Sequence, residues 1–224
     1  MLSRIAESLF WLGRYVERAD DTARVLDAFM HRLLDDPSTD EDAACRTLFA
    51  VLGVAVPQPE SGVCDARTVV DVLGFDTRSP SAVAGAWQAA YDNARGVREV
   101  ISTESWEGLN ATRLALPAQH RQARRVGPHA YLRYVRERAA LFSGLADSTM
   151  SRDDCWLFLT LGRNLERVDM TARLLSVKAL ASPYAPDWAT LLRTAGAADA
   201  YLRTAGRDSD PQSAVPLLVV AAMC

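Results

Sequence analysis

Two stretches of the chain carry the same charged side chains in the same register. Leu12-Gly-Arg-Tyr-Val-Glu-Arg-Ala-Asp-Asp-Thr-Ala-Arg-Val-Leu26 is matched 149 residues later by Leu161-Gly-Arg-Asn-Leu-Glu-Arg-Val-Asp-Met-Thr-Ala-Arg-Leu-Leu175. Ten of the fifteen positions are identical. Shared leucines and alanines could arise by chance in any helix, but Gly-Arg, Glu-Arg, Asp and Thr-Ala-Arg in one register point to duplication. At about 100° per residue, Gly13, Arg14, Asp20, Asp21 and Arg24 fall within about 60° of Glu17. Leu12, Tyr15, Ala19, Ala23, Leu26 and Met30 fall on the opposite side. One face is core and the other is densely charged with both signs.

Guanidiniums present a planar fork that matches a carboxylate, so this face suits a carboxylate-bearing or peptide ligand. The candidate binding residues are Arg14, Glu17, Arg18, Asp20 and Arg24 in the first copy. Arg163, Glu166, Arg167, Asp169 and Arg173 are their counterparts in the second. A solvated salt-bridge face is the competing reading, and exposed pairs contribute only tenths of a kcal/mol. Glycine decides between them: inside a helix it costs about 1 kcal/mol relative to alanine. A solvated face gives no reason for Gly13 and Gly162 to sit one turn before both glutamates; close approach by another backbone or a ligand does. If the repeats pack together, Glu17 and Glu166 are paired carboxylates with the means for acid–base work. Flanking arginines should lower both pKa values, which favours binding or architecture over catalysis.

A second group lies in the centre of the chain. Ser102, Trp106 and Asn110 form an i, i+4 ladder that Arg98 extends by one turn, with Glu104 beside it. Trp106 reads equally well as a core anchor and Asn110 as a satisfied buried amide, or together as an aromatic wall that orients a polar ligand. Metal ligation finds no support in the spacing. His31, His120 and His129 have Ala28, Pro117 and Val126 three residues before them, not the glutamate of a di-iron bundle. Asp20-Asp21 is followed by Arg24 where a magnesium-binding Asp-Asp-x-x-Asp cluster needs an acid. No phosphate-binding glycine loop or nucleophile elbow is present.

The elements that must position these residues read as helices throughout, with almost no alternating strand pattern. The first runs from about Ser3, read as its N-cap, to Leu34, and a second from after Thr39 to Gly53. A short helix covers Ala66–Leu73. Ser79-Pro80 opens another that continues to about Leu116. Pro117–Pro128, with three arginines and no apolar stripe, reads as an exposed connection. Further helices cover His129–Ala146, Ser151–Leu180 (ended by Pro183 and Pro186) and Asp187–Thr204. The expected fold is one all-α domain over residues 1–224, a multi-helix bundle in which two equivalent long helices carry the repeat.

Composition agrees. The 224 residues are 49% hydrophobic and 24% charged with a net charge of −3. That is globular, and it gives no drive toward nucleic acid or a membrane surface. Cys45, Cys64, Cys155 and Cys224 show no CxxC or zinc spacing and read as free thiols in a reducing, cytoplasmic setting.

The opening Met1–Asp20, the block Asn93–Asn110 and the stretch Leu161–Leu175 closely resemble three signature blocks of the Alpha-E domain family, also called DUF403. The family usually continues through a further helical region with a Pro-Arg-Ser element, so the chain reads as C-terminally truncated relative to it. Around Thr77–Pro80 the family more often has Asn-Pro. The resemblance implies an all-helical bacterial domain whose genes neighbour, or are fused to, a circularly permuted ATP-grasp protein of amide-bond-forming type. It implies no cofactor. The expected function is a non-catalytic helical binding partner of an ATP-grasp-type amidoligase system that makes or modifies a peptide or small amide. An independent enzyme using Glu17 and Glu166, or a purely structural scaffold, are the alternatives.

Overall fold

The computed structural model describes residues 2–57, 62–179 and 187–205, with 215, 216 and 218. The described residues form helices and no strands. These are α1 (Ser3–Asp35), α2 (Glu41–Leu52), α3 (Ala66–Val69), α4 (Val83–Arg95), α5 (Thr103–Val126), α6 (His129–Thr149), α7 (Asp154–Ala179), α8 (Trp188–Thr194) and α9 (Ala198–Ala205). The all-α bundle expected from the periodicity is what forms.

α1 is the axis. Its apolar side, with Leu9, Leu12, Ala19, Ala23 and Leu26 fully buried, explains why it has neighbours around it. α7, α4 and α6 pack against it, α8 covers its C-terminal half, and α5 lies outside on α6 and α4. Trp87 of α4 is a fully buried anchor, and its indole donates to the Leu109 carbonyl of α5 at 3.4 Å.

Several boundaries differ from the sequence reading, each for a local reason. Ser3 is the first helical residue and not the cap; Leu2 precedes it without a side-chain bond. α3 widens over Val70–Phe75 into a π-helical turn. α4 starts at Val83, because Ser79–Ser81 make a turn in which Ala82 donates to the Ser79 carbonyl. That turn folds onto Gly85, where a Cβ would collide with the same carbonyl. The helix drawn from Pro80 to Leu116 is two. Gly96–Ile101 forms turns, and Ser102 then caps α5 by accepting from the Ser105 N–H at 3.1 Å. The 117–128 segment is largely helix, not an exposed connection. α5 runs through Pro117 to Val126, and its buried line Leu109, Thr112, Leu116 and Ala123 continues past the proline. The loss of one backbone donor at Pro117 is offset by that packing.

Asp153, rather than Ser151, closes the start of α7, accepting from Cys155 N–H at 2.9 Å. Asp187–Thr204 divides at Gly196, whose φ of 68° ends α8. Pro183 and Pro186 lie outside the described residues, as does Cys224. Cys45 and Cys64 are free thiols. No helix among the described residues is long and apolar enough to cross a membrane.

Candidate functional site

α1 and α7 meet along the repeated face. A Cβ on Gly13 would run into the Leu159 carbonyl oxygen, and one on Gly162 into that of Phe10. Phe10 and Leu159 are themselves equivalent under the 149-residue offset, so the contact is reciprocal. Backbone touches backbone, and only glycine admits it. Farther along, Glu17 faces Arg167, and Asp21 lines one cleft with Met170 and Thr171, so the two helices run in the same direction.

One turn past the glycines the Glu-Arg pairs interlock. Arg18 grips Glu166 with both prongs of its fork, Nε to Oε1 at 2.5 Å and Nη2 to Oε2 at 2.9 Å. Arg167 reciprocates, its Nε donating to Glu17 Oε1 at 2.7 Å. Both glutamates are buried, at 5% and 2% exposure. Arg14 adds a second guanidinium to Glu166 at 2.5 Å and reaches Asp169 at 3.5 Å. Arg24 pairs with Asp20 at 2.9 Å, and Arg173 with Asp169 at 3.2 Å, each within its own helix. Asp20–Arg24 and Asp169–Arg173 thus pair at the edges, Arg163 does not join, and Arg14, Glu17, Arg18, Glu166 and Arg167 come together in one seam. Their short, buried, charge-assisted bonds set the register of α1 on α7, a use for which buried ion pairs are well suited.

The seam is not symmetric. Arg163, the counterpart of Arg14, turns away from Glu17 toward Asp147 at 3.4 Å. Met170 stands where the first copy has Asp21. Glu166 therefore meets two guanidiniums, while Glu17 meets one and shares its surroundings with Asp20 and Asp21. Burial pushes the Glu17 carboxyl up; Arg167 opposes this and Asp20 adds to it. Asp21 is pushed well above the usual carboxylate range by burial first, then by Glu17 and Asp20. For Glu17 the expected lowering by arginines is overturned: desolvation outweighs a single guanidinium.

An acid held protonated by the fold stabilises it below its unfolded value, near pH 4, and progressively less as pH rises through the elevated folded value. The charged groups around Asp21 are Glu17, Asp20 and Arg24 on α1 and Arg167 on α7. Asp21→Asn in chelator-treated protein should therefore raise the melting temperature by a margin that widens from about pH 4 to neutrality. A margin independent of pH would mean that Asp21 ionises normally.

Clefts flank the seam. One of about 350 Å³ is lined by Glu17, Asp20, Asp21, Arg167 and Thr194. It adjoins a larger one of about 740 Å³ between α1, α8 and α9, lined by Arg24, Asp27, His31, Arg136 and Arg193 among others. At its wall His129 of α6 meets Asp27 at 2.8 Å, and His31 bonds the Asp27 carbonyl at 2.8 Å. This His31–Asp27–His129 group was invisible in the sequence. Asp27 and His31 are an i, i+4 pair, but His129 comes from another helix, with no spacing signal to link it.

The central block lies elsewhere. Arg98 sits in the turn before α5, so the ladder is broken there. Ser102 is the cap of α5 and also receives a bond from Thr149 at 2.6 Å. Trp106 stacks on Tyr91 at 5.3 Å, with the Arg98 guanidinium 5.1 Å from its ring. Asn110 is half-buried and Glu104 exposed. These five do not line the clefts beside the seam.

The chain is similar to uncharacterized proteins of Mycobacterium bovis and of two Mycobacterium tuberculosis strains, CDC 1551 and H37Rv. Each is 26% identical over 184 residues, which is 73% of this chain and 21% of the relative. The chain thus matches about a fifth of the length of these relatives. No solved structure matches it. The Alpha-E family, described as a predicted alpha-helical domain with a conserved ER motif, matches residues 1–223. With Glu-Arg dipeptides interlocked across α1 and α7, and the match spanning nearly every residue, the chain belongs to the Alpha-E family.

Proposed function

We propose that this domain is a non-catalytic helical binding partner of an ATP-grasp-type amidoligase system that makes or modifies a peptide or small amide. The observation that carries the reading is the division of labour among its arginines. Arg14, Arg18 and Arg167 are spent on buried glutamates inside the seam. Arg24 and Arg173 pair only with an aspartate four residues away and border the open clefts. The seam is then a rigid support, and the clefts at its edges are where a carboxylate-bearing ligand or an acidic segment of the ligase would bind. The long mycobacterial relatives fit this reading, since the region similar to this chain is a minor part of each. A domain of this kind works beside other polypeptide.

The test is calorimetric titration of the protein against a circularly permuted ATP-grasp protein from the same genome, and against that ligase's substrates. Arg24→Lys and Arg173→Lys keep the charge and lose the fork, so each should weaken binding about tenfold while melting stays near the parent. Unweakened binding by both folded variants would remove these arginines from recognition. No binding by the parent would remove the partner reading.

A further inference from the structure

We propose that Glu17, Asp20 and Asp21 form a binding site for one hard divalent cation of the Mg²⁺ or Mn²⁺ class. The three residues lie at i, i+3 and i+4 on α1, which places their side chains on adjacent turns of one face. One oxygen from each can be chosen so that all lie within 4.8 Å of one another. Mg²⁺ holds its oxygens at about 2.1 Å in octahedral geometry, so its ligands stand about 3–4 Å apart. From the spacing observed, small side-chain rotations bring all three carboxylates to a single centre.

A cluster of acids alone would not distinguish a site from a solvated surface. The unpartnered oxygens do. Asp21 is 8% exposed, and its Oδ2 is buried with no hydrogen-bond partner. Asp20 gives Oδ2 to Arg24 and leaves Oδ1 buried and unpartnered as well. Arg167 bonds Glu17 through Oε1 alone. A buried carboxylate oxygen without a donor is costly, and two on consecutive residues are more so. No guanidinium fills the gap: Arg163, which the repeat would bring to Glu17, is drawn to Asp147.

Charge counting agrees. Once all three are ionised, as ligation requires, the carboxylates against Arg24 and Arg167 leave one negative charge, which a divalent ion more than neutralises. Oxygen-only ligands select a hard cation over zinc or copper. The adjoining cleft of about 350 Å³ leaves space for the waters such an ion retains, or for an anionic group of a bound ligand. The second copy of the repeat lacks the site because Met170 replaces the aspartate. The repeat therefore supplies one such site.

The experiment uses the full chain stripped with chelator and titrated with Mn²⁺, followed by electron paramagnetic resonance of the free ion and by thermal melting. The parent should bind one equivalent with a dissociation constant below 1 mM and gain several degrees in melting temperature. Asp21→Asn and Asp20→Asn, each first shown to melt cooperatively, should lose at least tenfold in affinity and most of the Mn²⁺-dependent gain. His129→Ala should behave as the parent. Absence of bound Mn²⁺ at millimolar concentration would overturn the site. So would Mn²⁺ binding that survives both Asn variants, or binding that is lost only in His129→Ala and therefore belongs to the Asp27 group.

Discussion

Gly162→Ala is expected to destabilise the protein by on the order of 3 kcal/mol, with Gly13→Ala close behind. On a solvated helix face the same change would stabilise by about 1 kcal/mol, because alanine is the better helix former. The sign is therefore diagnostic. At both positions the added Cβ meets a backbone carbonyl of the facing helix, Phe10 for Gly162 and Leu159 for Gly13. A flexible side chain could swing aside; a carbonyl inside a helix cannot. The helices must separate, which loosens the apolar contacts of Leu9, Leu12 and Val16 and lengthens the bonds one turn on. For a chain of this size the loss corresponds to a melting temperature lower by roughly 10 °C. Thermal melts of the two single variants measure it, and unchanged or raised midpoints would contradict a backbone crossing.

Glu166→Gln is expected to cost roughly 3 kcal/mol, because it removes the charge that holds two guanidiniums at once. Arg14 and Arg18 have side chains only 16% and 19% exposed, so water cannot fully take over. Glutamine keeps one acceptor oxygen but cannot accept the bidentate fork of Arg18 and the bond from Arg14 together. Glu17→Gln should cost distinctly less. It loses one bond from Arg167 but also relieves repulsion with Asp20 and Asp21. Two residues at equivalent places in a repeat should thus respond unequally, for reasons that lie in Arg163 and Met170. Urea unfolding of both variants provides the comparison, and equal losses would mean that the asymmetry carries no energy.

Much of this was legible before any coordinates. A glycine on a charged helix face, present in both copies, had no local justification, and close approach was the physical reading it left. The seam between α1 and α7 follows from that and from the wheel. What the sequence concealed has identifiable causes. The break between α4 and α5 is hidden because Val97 and Ile101 are buried within the turns and keep the helical spacing of apolar residues unbroken. Pro117 signals an end that does not come, since Leu116 and Ala123 pack on either side of it. The acidity of Glu17 is hidden because neighbouring arginines can be counted in a sequence and desolvation cannot. Reading forward from Asp20-Asp21, Arg24 stands where an Asp-Asp-x-x-Asp cluster needs its third acid. The third carboxylate lies one turn backward, at Glu17.

The central claim is that the interlocked Glu-Arg pairs hold α1 on α7 as one energetic unit. A double-mutant cycle on Arg18→Gln and Glu166→Gln, measured by urea unfolding, tests it most directly. The predicted result is a double variant more stable than the sum of the single losses implies, with a coupling of about 1.5 kcal/mol or more, as fits a buried bidentate pair. Losses that simply add, leaving a coupling within about 0.3 kcal/mol of zero, would contradict it and return the repeated charges to the status of a solvated face.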